Sequence, residues 1–322
     1  FSFQEQDKNS NGTIEREEWA KGIFSLVDSN RNNLISKSEL REFIKGYSRE
    51  FSWVNEVNEN FDLPAQLKKG TFTSSSMNLP VGYYIYIPDI YFEDPNRRFR
   101  SVYYLHGGRP GNEARSVYIS NFLEDIMSNT SIEPALYIFV NGGELSHYNS
   151  KEKRSFGEDI FINELIPYID KKYRTISTRN ARGLEGFSQG GRGATRYMFK
   201  YPELFGTVAA GGASYMMEKL IQENNGIEDD PRDNDEAIYY VGEGNDAWSL
   251  AKIHMDSGKR TPKLLLWSGR EDMNFKSIEE YSSYLEKFSI GHDFLAIEGI
   301  DHNPFLFYEK AGERLIRFHQ EN

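Results

Sequence analysis

A serine flanked by glycines is the residue of this chain best suited to covalent chemistry. Ser188 occupies the centre of the pentapeptide Gly-Phe-Ser-Gln-Gly. This G-x-S-x-G spacing is typical of a nucleophile elbow, the sharp strand-to-helix turn that lifts a Ser oxygen clear of a sheet. The run 182–187 before it predicts a short buried strand, and the run 189–201 predicts a helix that Pro202 ends. The motif in this context predicts nucleophilic catalysis by Ser188.

A serine nucleophile needs a base to accept its proton and a carboxylate to orient that base. In the enzymes that use this elbow, the acid and then the His follow the Ser along the chain. The chain holds six His, of which His106 and His147 precede the serine. His302 is predicted to be the base because it lies in a loop between the last predicted strand and the last predicted helix. His254, in a predicted helix, is the alternative.

The predicted acid is Asp272, which lies in a turn directly after a buried apolar strand. The neighbouring Glu271 is the alternative acid. Asp301 stands next to the predicted base, but a carboxylate in that position is expected to be a solvated loop residue.

Catalysis by a serine also needs hydrogen-bond donors for the negatively charged oxygen of the tetrahedral intermediate. One predicted donor is the backbone N–H of Gln189, immediately after the nucleophile. The second is the backbone N–H of Gly108 or Arg109, in the glycine-rich loop after Leu105. His106 in the same loop is predicted to be structural, because it precedes the serine.

From about residue 67, predicted strands and helices alternate. The predicted strands cover 70–76, 83–87, 100–105, 135–140, 182–187, 207–210, 263–267 and 293–297. The predicted helices cover 113–129, 157–173, 189–201, 276–288 and 304–319. This order favours an α/β fold, a mostly parallel sheet with helices on both faces, whose chemistry lies at the carboxyl ends of the strands.

The first 45 residues contain an internal repeat with an offset of 21 residues, and both copies fit the twelve-residue EF-hand calcium loop. Oxygen ligands fall at loop positions 1, 3, 5 and 12, with a backbone carbonyl at position 7. The predicted ligands are Asp7, Asn9, Asn11, Thr13 and Glu18 in the first loop, and Asp28, Asn30, Asn32, Leu34 and Glu39 in the second.

The two loops are unusually close together. Nine residues separate Glu18 from Asp28, so one helix over about 16–27 must serve both loops. Asn33 stands at position 6 of the second loop, where Gly12 gives the first loop its sharp turn. Because each loop offers few carboxylates, we expect modest calcium affinity and a structural role, with no metal needed for catalysis.

Composition excludes several classes of function. The chain has 322 residues and is 38% hydrophobic, enough for one large core and a small second unit. The net charge of −11, without a basic block, argues against a nucleic-acid partner. No apolar run approaches the roughly 18 residues of a membrane helix, so we expect no membrane partner. With zero cysteines, disulfides and thiol chemistry are excluded.

The predicted domain organisation has three parts: an EF-hand-like pair over 1–46, a linker over 47–66 and a catalytic domain over 67–322. Within the catalytic domain, the irregular stretch 214–260 is expected to be a cap-like insertion over the site. The candidate substrate-binding residues are Trp248, Tyr215 and Asn141, although ordinary packing explains each of them at least as well.

Taken together, the motifs resemble the putative-esterase family of α/β-hydrolases, which includes esterase D, feruloyl esterases, acetyl xylan esterases and mycolyltransferases. The resemblance covers about 70–318 and is carried by YYIYIP at 83–88, YLHGG at 104–108, VNGG at 140–143, ELIPYID at 164–170, YRT at 173–175, GFSQGG at 186–191 and DHN at 301–303. It implies the α/β-hydrolase fold and the same assignments of Ser188, Asp272 and His302. Esterase D proteins usually carry a Cys in the oxyanion segment, and its absence here disfavours formylglutathione as the substrate.

The resemblance implies a serine carboxylesterase that hydrolyses feruloyl or acetyl esters, small molecules or polysaccharides, through an acyl-enzyme. Relatives of this kind are often secreted, so we expect a secreted or periplasmic location. Two alternatives remain: an acyltransferase to a sugar hydroxyl, and a calcium-dependent binding protein on an inactive hydrolase fold.

Overall fold

The structure is a computed structural model that describes residues 3–19, 24, 27–28, 31–40, 51–57, 62–228 and 239–321. Its largest element is an eight-stranded sheet. The strands are β1 (Leu67–Ser74), β2 (Leu79–Tyr86), β3 (Arg100–Leu105), β4 (Ala135–Val140), β5 (Arg182–Phe187), β6 (Thr207–Gly211), β7 (Lys263–Gly269) and β8 (Asp293–Ile297).

The strand order across the sheet is β8-β7-β6-β5-β3-β4-β2-β1. β1 and β2 pair antiparallel, as do β2 and β4, and every other pair is parallel. The carboxyl ends of β3 to β8 therefore meet at one edge of the sheet, where the chemistry of such folds lies. The loops after β3, β4, β5, β7 and β8 carry the residues that the sequence singles out.

Six helices of the described residues cover the sheet. They are α1 (Ile119–Asn129), the composite α2 (Gly157–Asp159, the π-helical Ile160–Leu165 and Ile166–Lys172), α3 (Gln189–Lys200), α4 (Ala247–Ser257), α5 (Phe275–Lys287) and α6 (Pro304–Phe318). Shorter helical segments occupy Phe3–Gln6, Ile90–Glu93, Arg179–Ala181 and Glu218–Glu223. None of the helices in the described ranges is long and apolar enough to cross a bilayer.

The side chains of the central strands alternate between two buried layers, as the period of a strand requires. Tyr83 and Ile85 of β2 pack in the layer formed with α2, α3, α4 and α5. Tyr84 and Tyr86 of the same strand pack in the opposite layer, formed with α1 and α6. The sheet is thus covered on both faces, as the alternation of strands and helices predicts.

One helix is shorter than the sequence predicts. α1 begins at Ile119, and residues 113–118 form turns instead of its first part. Glu113 has another role: its buried carboxylate accepts hydrogen bonds from the backbone N–H of Asn55, at 2.7 Å, and from the Asn141 side chain, at 2.8 Å. The predicted linker therefore packs on the catalytic domain at 51–57, where Gly82 N–H also donates to the Trp53 carbonyl.

The N-terminal unit is a small cluster of two loops. Ile14–Glu15 pairs antiparallel with Leu34–Ile35, so position 8 of one loop lies opposite position 8 of the other. A separate apolar cluster beneath them consists of Ile14, Trp19, Phe24, Val27, Ile35 and Leu40. The predicted ligand Asn30 and most of the helix predicted over 16–27 lie outside the described residues.

The predicted insertion contains Glu218–Glu223, α4 and a two-stranded hairpin. In this hairpin, Ile227–Glu228 pairs antiparallel with Tyr239–Tyr240, and the acidic residues between the two strands lie outside the described ranges. A small apolar cluster joins the insertion to the loop after β4 through Leu145, Tyr148, Ile221 and Val241.

Candidate active site

Ser188 stands between β5 and α3 in a strained backbone conformation. Its φ is 60° and its ψ is −118°, a combination that residues other than glycine rarely adopt. The Ser188 N–H donates to the Gly211 carbonyl at 2.8 Å, which ties the turn to β6. This is the geometry of a nucleophile elbow, and it leaves Ser188 half-buried at the carboxyl edge of the sheet.

The two glycines of the pentapeptide are required by close backbone approach. A Cβ on Gly190 would lie 2.0 Å from the Leu105 carbonyl oxygen, and one on Gly186 would lie 2.3 Å from the Gly190 carbonyl oxygen. Real Cβ contacts are never this short, so any larger residue would push α3 away from β3. The spacing G-x-S-x-G thus follows from how tightly the elbow packs.

The structure brings Ser188, His302 and Asp272 into one hydrogen-bonded chain. His302 Nε2 lies 3.0 Å from Ser188 Oγ, and His302 Nδ1 lies 2.9 Å from both carboxylate oxygens of Asp272. The imidazole therefore donates its Nδ1–H to Asp272 and offers Nε2 to the serine hydroxyl. The Asp272 side chain is fully buried, whereas His302 keeps 23% of its surface exposed for a substrate.

Two loops hold the acid and the base. Asp272 follows β7 and accepts the Asn274 N–H at 2.8 Å. Glu271, the alternative acid, instead accepts the Ile300 N–H at 2.9 Å and so ties the acid loop to the loop of His302. Backbone N–H donors at Gly299 and Ile300 hold the pKa of Glu271 below its usual value. The ring of Phe187 packs on His302 with a centroid distance of 4.6 Å.

The alternative base lies elsewhere. His254 is buried in α4, where its Nε2 lies 3.0 Å from the hydroxyl of Thr261 and its ring packs on Phe199. Burial lowers the pKa of His254. These contacts are those of a packed core histidine.

The glycine-rich loop after β3 lies directly beside the serine. A Cβ on Gly107 would lie 3.2 Å from the Cβ of Ser188, and the next residue, Gly108, has a φ of 77°. Other side chains fix the carbonyl groups of this loop: Ser146 Oγ donates to the Gly108 carbonyl at 2.5 Å. The loop therefore lies against the elbow at Gly107, and the Arg109 side chain reaches that of Gln189 at the start of α3.

Two buried histidines support this loop from below. His106 Nε2 accepts the Gly142 N–H at 3.0 Å, and His147 Nε2 donates to the His106 carbonyl at 2.9 Å. Burial lowers the pKa of His106 well below its usual value and that of His147 to about 4. Both imidazoles are therefore neutral near pH 7. His106 thus has the structural position that the sequence analysis predicts for it.

A charged cluster that the sequence does not reveal lies next to the loop. Arg109 Nη2 lies 3.3 Å from Glu228 in the insertion hairpin and 3.3 Å from the side-chain oxygen of Gln189. Glu228 also forms an ion pair with Arg192 in the first turn of α3. These residues are far apart along the chain, and neither periodicity nor a motif signals the contact.

The two N-terminal loops have the same internal hydrogen bonds. The carboxylate of Asp7 accepts the N–H groups of Asn11 and Gly12, each at 3.0 Å. The carboxylate of Asp28 accepts those of Asn32 and Asn33, at 3.0 and 2.9 Å. Asn33 adopts the positive φ, 65°, that position 6 of the loop demands. The second loop thus turns as sharply as the first.

The donor set of these loops suits a hard cation. Asp7, Glu18, Asp28 and Glu39 are buried carboxylates at positions 1 and 12, and all the other predicted ligand atoms are oxygens. Each loop brings two carboxylates, and no group of three or more His, Asp or Glu side chains in the described ranges converges like a metal cluster. The chemistry of these residues thus fits calcium.

Comparison with known proteins identifies the family. Residues 74–292, more than half of the chain, match the family model described as Putative esterase. The chain belongs to this family. Residues 2–23 and 20–44 each match an EF-hand family model. The predictions of an esterase-family chain with an N-terminal EF-hand-like pair are therefore confirmed.

Two curated relatives of this esterase-family chain are informative. Esterase Rv1288 of Mycobacterium tuberculosis is 29% identical over 134 residues, which are 40% of this chain and 28% of that protein. The endo-1,4-beta-xylanase/feruloyl esterase of Xylanibacter ruminicola is 24% identical over 161 residues, 47% of this chain and 21% of that protein. The chain thus spans less than a third of the length of either relative.

A solved structure of a ferulic acid esterase superimposes with a TM-score of 0.63 at 20% identity, and the match covers 80% of this chain and 98% of that one. At this identity the likeness establishes the fold, and the predicted α/β-hydrolase fold is confirmed.

The three candidate substrate-binding residues of this esterase-family chain have packing partners. The Tyr215 ring is buried, stacks on Tyr281 at 3.9 Å and hydrogen-bonds the Thr195 hydroxyl at 2.8 Å. Asn141 is buried and donates to Glu113. Trp248, which is half-buried, packs edge-on against Tyr281 and Tyr284. Packing accounts for all of these contacts.

Proposed function

We propose that this protein is a serine carboxylic ester hydrolase whose nucleophile is Ser188. The observation that carries the proposal is the hydrogen-bonded chain from Ser188 Oγ through His302 to Asp272, on a strained elbow, in a chain of the esterase family. A hydroxyl 3.0 Å from an imidazole nitrogen that is oriented by a carboxylate is the arrangement of an activated serine.

In the first half of the reaction, Ser188 Oγ attacks the acyl carbonyl while His302 Nε2 takes the hydroxyl proton. Asp272 stabilises the imidazolium that forms, and it does not take the proton itself. The backbone N–H groups of Gln189 and of Gly108 or Arg109 bind the oxyanion. The tetrahedral intermediate then expels the alcohol, which receives the proton from His302, and the acyl group stays on Ser188.

The second half repeats these steps with water. His302 takes a proton from a water molecule, the resulting hydroxide attacks the acyl carbonyl, and the same amides bind the oxyanion. Collapse of this intermediate releases the carboxylic acid and returns the proton to Ser188. The cycle needs no metal, which agrees with a supporting role for the N-terminal loops.

For the substrate we propose acetyl or hydroxycinnamoyl esters of carbohydrates. The support is the likeness to proteins whose names specify feruloyl esterase activity. We expect the intact protein to hydrolyse both p-nitrophenyl acetate and methyl ferulate, with initial rates followed by absorbance. Turnover of the acetate alone would restrict the proposal to short acyl groups, and turnover of neither would contradict it.

We further propose that residues 1–46 bind calcium and stabilise the folded protein without serving the ester chemistry. Calcium at 100 times its Kd would add about 2.7 kcal/mol to the free energy of unfolding of the part that binds it. Loops with few carboxylates bind calcium weakly and are occupied only where the calcium concentration is high. This supports a secreted or periplasmic location.

Calorimetry of the full chain tests the calcium proposal. Added calcium should raise the unfolding temperature of the chelator-treated protein, while kcat for p-nitrophenyl acetate should change by less than about twofold, because no catalytic atom belongs to the loops. The double variant Glu18→Gln/Glu39→Gln should lose the thermal response. The matched control Glu17→Gln, exposed and outside the ligand set, should keep it. Loss of turnover on chelation with the fold intact would show that the chemistry needs the metal.

A further inference from the structure

One carboxylate of the insertion hairpin lies fully inside the protein between two arginines. The side chains of Glu228, Arg109 and Arg192 are 0%, 3% and 6% exposed. Arg109 Nη2 lies 3.3 Å from Glu228 Oε2, and Arg192 forms its ion pair with Oε1 of the same carboxylate. Glu228 thus holds two cations at once, one on each oxygen.

Aromatic rings complete the surroundings of Arg109. Tyr239 lies directly opposite Glu228 in the hairpin, and its ring centroid is 4.8 Å from the Arg109 guanidinium carbon. Tyr148, from the loop after β4, places its ring 5.7 Å from the same carbon. Residues opposite each other on a two-stranded ladder point to the same side, so Glu228 and Tyr239 contact Arg109 from the same side of the hairpin.

Both arginines belong to segments that form the proposed oxyanion site. Arg109 follows Gly108 in the loop after β3, and its side chain also reaches the Gln189 side chain at 3.3 Å. Arg192 lies in the first turn of α3, where its N–H donates to the Ser188 carbonyl at 3.1 Å and its Nε to the Ser214 carbonyl at 2.7 Å. Glu228 therefore links the two segments whose amides must converge on one oxygen.

Stability alone is a poor reason for such a cluster. Burying a carboxylate with two guanidinium groups removes three charges from water, and hydrophobic residues of similar volume often serve the folded state as well or better. The ion pairs of the cluster instead fix the positions of the two arginine side chains. A donor to an oxyanion must be held within a few tenths of an ångström to be useful.

We propose that Glu228 is a positioning residue for ester hydrolysis, which holds Arg109 and Arg192 so that the loop after β3 and the start of α3 present their amides to the oxyanion. This inference rests on the proposed function, and it assigns the insertion hairpin a part in catalysis. Removing the charge of Glu228 should let these donors move. The loss should weaken stabilisation of the transition state, which carries the oxyanion, more than it weakens binding of the uncharged ester.

The test is Glu228→Gln, which keeps the shape of the side chain and removes its charge. We expect kcat for p-nitrophenyl acetate to fall about 10- to 100-fold, less than or comparable to the loss of one oxyanion donor, with KM changed by less than about threefold. The Ki of a trifluoromethyl ketone, whose adduct with the serine carries an oxyanion, should rise by a factor similar to the fall in kcat/KM. Glu228→Asp should recover part of the loss.

A matched control separates positioning from general destabilisation. Glu158 is also a buried carboxylate that pairs with two cations of α3, Arg196 at 3.2 Å and Lys200 at 2.5 Å, but these lie farther along the helix from Ser188. Glu158→Gln should lower the unfolding temperature and leave kcat and the Ki of the ketone within about twofold. Equal losses of kcat in the two variants would overturn the positioning role.

A double-mutant cycle identifies the route through which Glu228 acts. Arg109→Met keeps the backbone donor and removes the cation, so it should reproduce much of the kcat loss, and the double variant with Glu228→Gln should lose little more. Additive losses, or an unchanged kcat in Glu228→Gln, would refute the inference. Failure of the proposed function would look different, because the unsubstituted protein would then show no ester turnover, or its turnover would persist in Ser188→Ala.

Discussion

Replacing Ser188 by Ala should reduce kcat for p-nitrophenyl acetate by about 10⁴- to 10⁶-fold, because no other atom can form the acyl-enzyme. The residual rate would come from the amides that polarise the carbonyl and from substrate binding. The variant should fold normally, because Ala removes only the hydroxyl. The Ser188 hydroxyl contacts His302 Nε2 in the site. Steady-state rates with purified protein, checked against the thermal unfolding curve, provide the measurement.

Ser101→Ala is the matched control for this variant. Ser101 is a fully buried serine at the start of β3, remote from the carboxyl edge of the sheet. The same chemical change there should leave kcat within about twofold. If Ser188→Ala kept more than a tenth of the activity, another residue or a metal would have to supply the nucleophile.

The second large effect is expected from Asp272→Asn, with a loss in kcat of about 10⁴-fold. The Asp272 carboxylate accepts the Nδ1–H of His302, which leaves Nε2 free to take the serine proton. An amide in its place can donate to Nδ1 and so favour the tautomer that carries its proton on Nε2. That tautomer faces the serine with a donor and cannot act as the base.

Glu271→Gln tests the assignment of the acid at the neighbouring position. Glu271 ties its loop to Ile300, whereas the ring nitrogens of His302 bond Asp272 and Ser188, so loss of the Glu271 charge should cost less than tenfold in kcat. Measuring both variants with the same ester compares an amide for a carboxylate at adjacent positions. A larger loss in Glu271→Gln than in Asp272→Asn would reverse the assignment.

The sequence predicts the central sheet well because most of its strands are short buried runs with clear ends. β3, β4, β5 and β8 begin and end at the residues that the sequence predicts for them. The order of Ser, Asp and His along the chain, together with the predicted loop positions of Asp272 and His302, picks the three residues that the structure brings together. The pattern of a strand is local, and the order of Ser, Asp and His is a property of the chain. Both can therefore be recognised from the sequence alone.

The features that sequence reasoning misses depend on contacts between distant residues. The Arg109–Glu228 pair joins residues 119 positions apart, and Glu228 lies in the irregular stretch 214–260, which has no periodicity. The sequence predicts that a helix begins at Glu113, but Asn55 and Asn141 provide its buried carboxylate with donors. Tyr215 is an attractive pocket residue by type, and only its stacking on Tyr281 shows that it packs in the core.

The most direct test of the account is to trap the acyl-enzyme. An activated ester such as p-nitrophenyl acetate should give a burst of p-nitrophenolate if deacylation is slower than acylation. Acid quenching followed by peptide mass spectrometry should then locate one acetyl group on Ser188 in the intact protein, and none in Ser188→Ala. Steady turnover accompanied by acetyl on a different residue, or by a burst that survives in Ser188→Ala, would contradict the assignment of Ser188 as the nucleophile.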